Sequence, residues 1–162
     1  MVVVDSSALI PLAWVGRLEL ITAVFDTVET TEIVEDEVLV EGKRGTSALE
    51  SFLADVTVHE VPDRSEDVAQ LEGVAVGDAS VILLAERGDA PLLANDKGLI
   101  QVARSHGVEC WWVTTLLLAC VKQDVIDGEE ASEVLYDLVS EGMNLSPQVY
   151  VRVQRKLESM DE

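Results

Sequence analysis

Four acidic residues stand where the sequence pattern gives a carboxylate something other than solvent to face. Asp5 follows the β-branched run Val2-Val3-Val4, and Asp96 follows the short apolar run Pro91 to Ala94. Both are thereby delivered to the carboxyl ends of buried strands, the edge at which open α/β sheets bind ligands. Asp78 opens a helix in Gly77-Asp78-Ala79-Ser80, where the helix dipole favours a carboxylate. Glu41 lies three residues after Val38, one helical turn from an apolar anchor, and Glu37 in the same segment competes for its role. Helix capping accounts equally well for Asp5 taken alone. Taken together, four acids around one pocket are costly unless a cation joins them. A hard divalent ion, Mg²⁺ or Mn²⁺, takes carboxylate oxygens and keeps waters that can be activated or replaced by phosphate oxygens.

The elements that must position these acids alternate along the chain. Val2 to Val4 reads as a buried strand and Ser6 to Trp14 as a helix capped by Asp or Ser. A second short helix is expected over Arg17 to Val24, β-forming residues over Thr27 to Val34, and a helical turn or two over Glu35 to Glu41, ended by Gly42. Gly45 to Ala54 has helical spacing, and Val56 to Val61 alternates as a half-exposed strand closed by Pro62. A polar helix at Ser65 to Leu71 precedes an apolar one at Ala79 to Arg87. Then come a strand at Pro91 to Ala94, a helix at Asp96 to Ser105 and a strand at Val108 to Val113. After Thr114-Thr115 the pattern is helical throughout: Leu116 to Lys122, Gly128 to Ser140 and Pro147 to Met160. This alternation predicts one three-layer α/β/α domain over residues 1–162 with a central parallel sheet, the residues from about 125 onward forming a helical extension.

Composition removes several classes. The 162 residues hold 31 Asp and Glu against 11 Lys and Arg, a formal charge of −20, with 48% hydrophobic residues. Disorder is excluded by the apolar content, and a sequence-indifferent nucleic-acid coat by the want of a basic face. The acidic excess, spread over the whole chain, resembles that of haloarchaeal proteins. The amino end has no basic leader, and the apolar run Trp111 to Val121 is well short of the ~20 residues that span a bilayer, so a cytoplasmic protein with no membrane association is expected. Cys110 and Cys120 are spaced for neither a zinc site nor a disulfide framework and read as buried apolar residues. His59 and His106 read as structural or surface groups. In a strand, Trp111 and Trp112 point to opposite faces, one into the core and at most one outward.

The segments Asp5-Ser6-Ser7-Ala8-Leu9-Ile10, Val38-Leu39-Val40-Glu41, Gly77-Asp78-Ala79-Ser80 and Leu93-Ala94-Asn95-Asp96-Lys97 resemble, in order and spacing, the four acidic motifs of PIN domains. Leu135 to Pro147 is similar to the helical extension of stand-alone prokaryotic PIN proteins related to VapC toxins. The resemblance covers nearly the whole chain. It implies a metal-dependent endoribonuclease in which Asp5, Glu41, Asp78 and Asp96 bind one or two Mg²⁺ or Mn²⁺ ions, Ser6 or Ser7 orients Asp5, and Asn95 sits beside the metal shell. Many relatives carry a second acid at the position of Asn95. Water attack at phosphorus, with the metal absorbing charge, needs no His or Cys nucleophile.

Arg17, Lys43, Arg44, Lys97 and Arg104 follow shortly after the motifs and are candidates for holding substrate phosphates. The resemblance also implies an RNA substrate and an antitoxin-like protein partner. The C-terminal helices and the apolar Leu9 to Trp14 face suggest a homodimer. The competing reading is a non-catalytic PIN-like binding module whose acids serve solubility or structural cations. A phosphoacceptor receiver domain would require an adjacent acidic pair after the first strand, where this chain has Ser6-Ser7.

Overall fold

A computed structural model describes residues 1–161 of the chain. Five parallel strands form one sheet: β1 (Val2–Val4), β2 (Val28–Thr31), β3 (Thr57–His59), β4 (Leu92–Leu93) and β5 (Cys110–Trp111), in the spatial order β3-β2-β1-β4-β5. The three valines of β1 are fully buried, as a central strand covered on both faces requires. Val3 pairs with Glu29 of β2 on one side and with Leu92 of β4 on the other. The chain builds outward from β1 through β2 to β3, then returns to place β4 against the other side of β1. The order therefore reverses between β1 and β4, and the crevice at their carboxyl ends is the place where ligands bind in folds of this kind.

Helices flank the sheet in a three-layer α/β/α arrangement: α1 (Ser6–Trp14), α2 (Glu19–Val24), α3 (Glu32–Val38), α4 (Thr46–Leu53), α5 (Ser65–Glu72), α6 (Val76–Gly88), α7 (Lys97–Ser105), α8 (Val113–Lys122), α9 (Gly128–Ser140) and α10 (Pro147–Met160). α6 packs on β1, β2 and β4, whereas α1 packs on α3, α4 and α9. A bend of 113° separates α5 from α6, which sends the start of α6 toward the sheet edge. There Thr31 and Ser80, both fully buried, share a hydrogen bond of 2.9 Å, and the Thr30 hydroxyl donates to the Val4 carbonyl at 2.7 Å. One continuous core runs from Val2 to Leu157. Among the described residues no single helix is long and apolar enough to cross a membrane.

Several expected boundaries move. The β-forming stretch from Thr27 to Val34 ends as a strand at Thr31, and α3 takes over at Glu32. Glu32 and Glu35 favour the helix start through the dipole, and Val34 and Val38 bury one side of it. That helix stops at Val38, so Glu41 falls in an exposed turn and is not helical. β5 is only two residues long, because Trp112 caps α8, its N–H donating to the Thr115 hydroxyl at 3.3 Å. Trp111 and Trp112 therefore do not divide between core and solvent: both are half-buried, Trp111 edge-on to Phe25 at 4.9 Å between ring centres. Cys120 is buried as expected, but Cys110 on the short edge strand is half-buried.

Candidate active site

At the reversal point the residue after β1 and the residues after β4 face the start of α6 and one side of α3. Asp5 caps α1 and is 3% exposed. Its Oδ2 accepts from the Ser7 N–H at 3.1 Å and from the Ser7 hydroxyl at 2.6 Å. Among the described residues no hydrogen bond falls on Oδ1, so one oxygen stays available to a ligand. The same Ser7 hydroxyl accepts from the Asn95 N–H at 2.8 Å, tying the end of β1 to the end of β4. Burial pushes the Asp5 carboxyl above its ordinary value; the two Ser7 bonds oppose that rise, and the charge of Glu37 adds to it.

Glu37 is the acid that α3 supplies. Its Oε2 accepts from the Ser6 hydroxyl at 2.8 Å. A Cβ on Gly77 would lie 2.5 Å from Glu37 Oε1 and 3.0 Å from Ile33 Cγ2. Glycine at that position is thus what lets the carboxylate lie across the first turn of α6. Asp78, one residue further on, is half-buried, and its carboxyl is raised from 3.8 to about 6, chiefly by burial and then by the charges of Asp5, Asp96 and Glu37. Asp96 caps α7, its Oδ1 accepting from the Leu99 N–H at 3.1 Å, and is exposed. The Asn95 amide donates through Nδ2 to the Asn144 carbonyl at 3.2 Å, while its Oδ1 is buried with no hydrogen-bond partner among the described residues.

Asp5, Asp78 and Asp96 are thus close enough for their charges to be felt at one carboxyl, in company with Glu37. Glu41 is not part of this group. Sequence spacing does not separate Glu37 from Glu41; the signal that does is Gly77, the small residue against which Glu37 packs. Two of the five candidate phosphate-holding cations, Arg17 and Arg44, are engaged elsewhere. Arg17 pairs with Glu19 at 2.7 Å and Glu130 at 2.8 Å. Arg44 pairs with Glu141 at 2.6 Å and lies 4.1 Å from the centre of the Trp14 ring. Lys43 is in the exposed turn with Glu41, and Arg104 is exposed in the last turn of α7. Lys97, exposed beside Asp96, has no ion pair among the described residues. His59 bonds to Glu29, and His106 bonds to Glu72 and Glu86 at 3.1 Å each, so both histidines are engaged with carboxylates outside the acidic cluster.

Among the described residues no three His, Cys, Asp or Glu side chains meet as a ready-made metal cage. The donor chemistry nevertheless fits a hard divalent cation. Every group is an oxygen donor, two of the carboxyls are raised by burial and mutual repulsion, and a buried amide oxygen lacks a partner.

A family model described as a PIN domain matches residues 1–159. No curated protein matches the chain. Among solved structures the chain is similar to the crystal structure of PAE2754 from Pyrobaculum aerophilum, with 22% identity, 74% of this chain and 96% of that one covered, and a TM-score of 0.56. That likeness concerns the fold. From the family match along nearly its whole length, the chain belongs to the PIN-domain family.

Proposed function

We propose that the protein is a divalent-cation-dependent endoribonuclease hydrolysing phosphodiester bonds of single-stranded RNA, with Asp5, Glu37, Asp78 and Asp96 as its ligand set. PIN domains are in general nucleases that act on nucleic acid and usually employ divalent metals. The observation that carries the reading is the convergence of Asp5, Glu37 and Asp96 on Asp78 at the switch point, where burial first and then the charges of those three acids raise the Asp78 carboxyl to about 6. An ion of the Mg²⁺ or Mn²⁺ class would supply charge neutralisation and acidify a water at that edge. Asp5 is the fixed member: Ser7 holds Oδ2 and leaves Oδ1 free for the ion. Ser6 steadies Glu37, and the Leu99 N–H steadies Asp96. Lys97, next to Asp96, is the cation best placed to take a phosphate oxygen.

A formal charge of −20 opposes the approach of RNA. At ~1 M salt the Debye length is about 3 Å, so only contacts at the site itself count. The same acidic edge would accept a basic side chain from an inhibitory protein, which fits the toxin half of a toxin–antitoxin pair. The test is cleavage of end-labelled single-stranded RNA with Mn²⁺ titrated from zero, at ~0.1 and ~2 M KCl. The expected result is metal-dependent cleavage that falls at least a hundredfold in Asp5→Asn and Asp96→Asn, with circular dichroism unchanged. Wild-type protein that cleaves no RNA at any metal or salt concentration refutes the enzyme reading and leaves a binding module.

A further inference from the structure

The turn between α9 and α10, residues 141–146, reaches the candidate site through one side chain. Asn95 Nδ2 donates to the Asn144 carbonyl at 3.2 Å, Asn95 N–H donates to the Ser7 hydroxyl at 2.8 Å, and that hydroxyl donates to Asp5 Oδ2 at 2.6 Å. Three hydrogen bonds therefore run unbroken from the helical extension to the most buried carboxylate of the cluster. The two helices that carry the turn are locked to each other. The Asp161 carboxylate accepts from the Gly128 and Glu129 N–H groups at 2.7 and 3.0 Å, and Gln154 Nε2 donates to the Ser132 carbonyl at 3.1 Å. Leu135, Leu138, Val153 and Leu157 bury the helices against the core. The turn itself has a second tether, Arg44, which bonds both the carboxylate and the carbonyl of Glu141.

We propose that Asn95 is a positioning residue that couples the α9–α10 turn to cation binding at Asp5, so that the helical extension sets the affinity of the site. The proposal rests on the nuclease reading above. Its physical basis is the divided state of the Asn95 carboxamide. The amide N–H side is committed to the turn, while the buried Oδ1 has no partner, an unfavourable condition for a desolvated polar atom. Because the Asn95 N–H bonds the hydroxyl that holds Asp5, the carboxamide belongs to the same hydrogen-bonded cluster, and a cation held there would offer Oδ1 a partner, directly or through a water. Fixing the oxygen fixes the plane of the carboxamide, and with it the direction of the N–H toward Asn144. Linkage is reciprocal: whatever orders the turn tightens the site by the same factor. A protein seated on the extension thus gains a route to the catalytic edge without touching it.

The experiment is hydrogen exchange on the intact wild-type chain with and without saturating Mn²⁺, paired with calorimetric titration of Mn²⁺. Slower exchange across residues 141–146 on binding is expected. Asn95→Ala should abolish that slowing and weaken Mn²⁺ about five- to tenfold, the equivalent of one hydrogen bond. Arg44→Ala, an exposed change remote from the carboxylates, should loosen the same turn and weaken Mn²⁺ about twofold; it decides the matter if Asn95→Ala does not fold. Mn²⁺ that binds while exchange in the turn stays unchanged overturns the coupling and leaves the nuclease reading standing. A titration with no Mn²⁺ binding at all overturns both.

Discussion

Asp78→Asn separates the stability of this protein from its proposed activity. The substitution keeps the shape of the side chain and removes its charge. In the folded chain the Asp78 carboxyl sits at about 6 against an ordinary 3.8. The folded state therefore holds this proton more tightly than the unfolded state, and the resulting stability is complete below pH ~4 and is lost as pH rises through ~6. Between pH 5 and pH 8 the wild type loses about 1.4 kcal/mol from this group at full strength, and about 0.7 kcal/mol once its half-exposure to solvent is allowed for. The Asn variant loses none of it. For a chain of this size 1 kcal/mol moves Tm by about 2–4 °C. Calorimetry in EDTA should therefore find the difference in Tm, variant minus wild type, about 2 °C more positive at pH 8 than at pH 5. Because burial is the first cause of the shift, most of the difference should persist in molar salt. Added Mn²⁺ should move the difference in the opposite direction: at a hundredfold excess over Kd it stabilises the wild type by about 2.7 kcal/mol and the variant far less. A difference in Tm that is equal at the two pH values refutes the reasoning.

Glu37→Gln should lower metal-dependent RNA cleavage at least tenfold, whereas Glu41→Gln should leave it within twofold; equal losses in the two variants would return Glu41 to the site. His106 is raised first by its bond to Glu72, so its contribution to stability is present below pH ~6.5 and fades as pH rises through its raised value. His106→Ala should cost more Tm at pH 5.5 than at pH 8.5, as read by thermal unfolding. Gly128→Ala would bring a Cβ to 2.3 Å from the Leu157 carbonyl oxygen and 2.8 Å from Asp161 Oδ1. Denaturant unfolding should show a loss of about 1–3 kcal/mol as the two C-terminal helices are forced apart.

Much of this was legible in the residues because the informative features are local. A β-branched triplet followed by an acid, or the apolar Leu92-Leu93-Ala94 followed by Asn95-Asp96, marks both a strand and its carboxyl end. The caps Asp5, Asp96, Asp127 and Ser146 mark helix starts within a residue. What escaped depends on contacts between distant segments. That Glu37 lies beside Asp5 and Asp78 while Glu41 stands in an exposed turn follows from where α3 stops and from the packing of Glu37 on Gly77, forty residues away. Arg17 and Arg44 looked free by position, yet their partners, Glu130 and Glu141, belong to α9. Trp112 reads as strand until its role as the cap of α8 becomes visible.

The pairing of Val3 with Leu92 has a consequence for the life of the chain on the ribosome. β1 emerges first, yet one of its two edges waits for a neighbour made only after more than half of the polypeptide has been synthesised, and Asp5 waits slightly longer for Asp96. Such long-range closure slows folding and leaves a sticky edge open in the interval. It also means that an interrupted translation product ending before β4 lacks Asp96 and the crevice it completes. For a protein whose proposed substrate is RNA, the assembly order itself delays the proposed site until more than half of the polypeptide has been made.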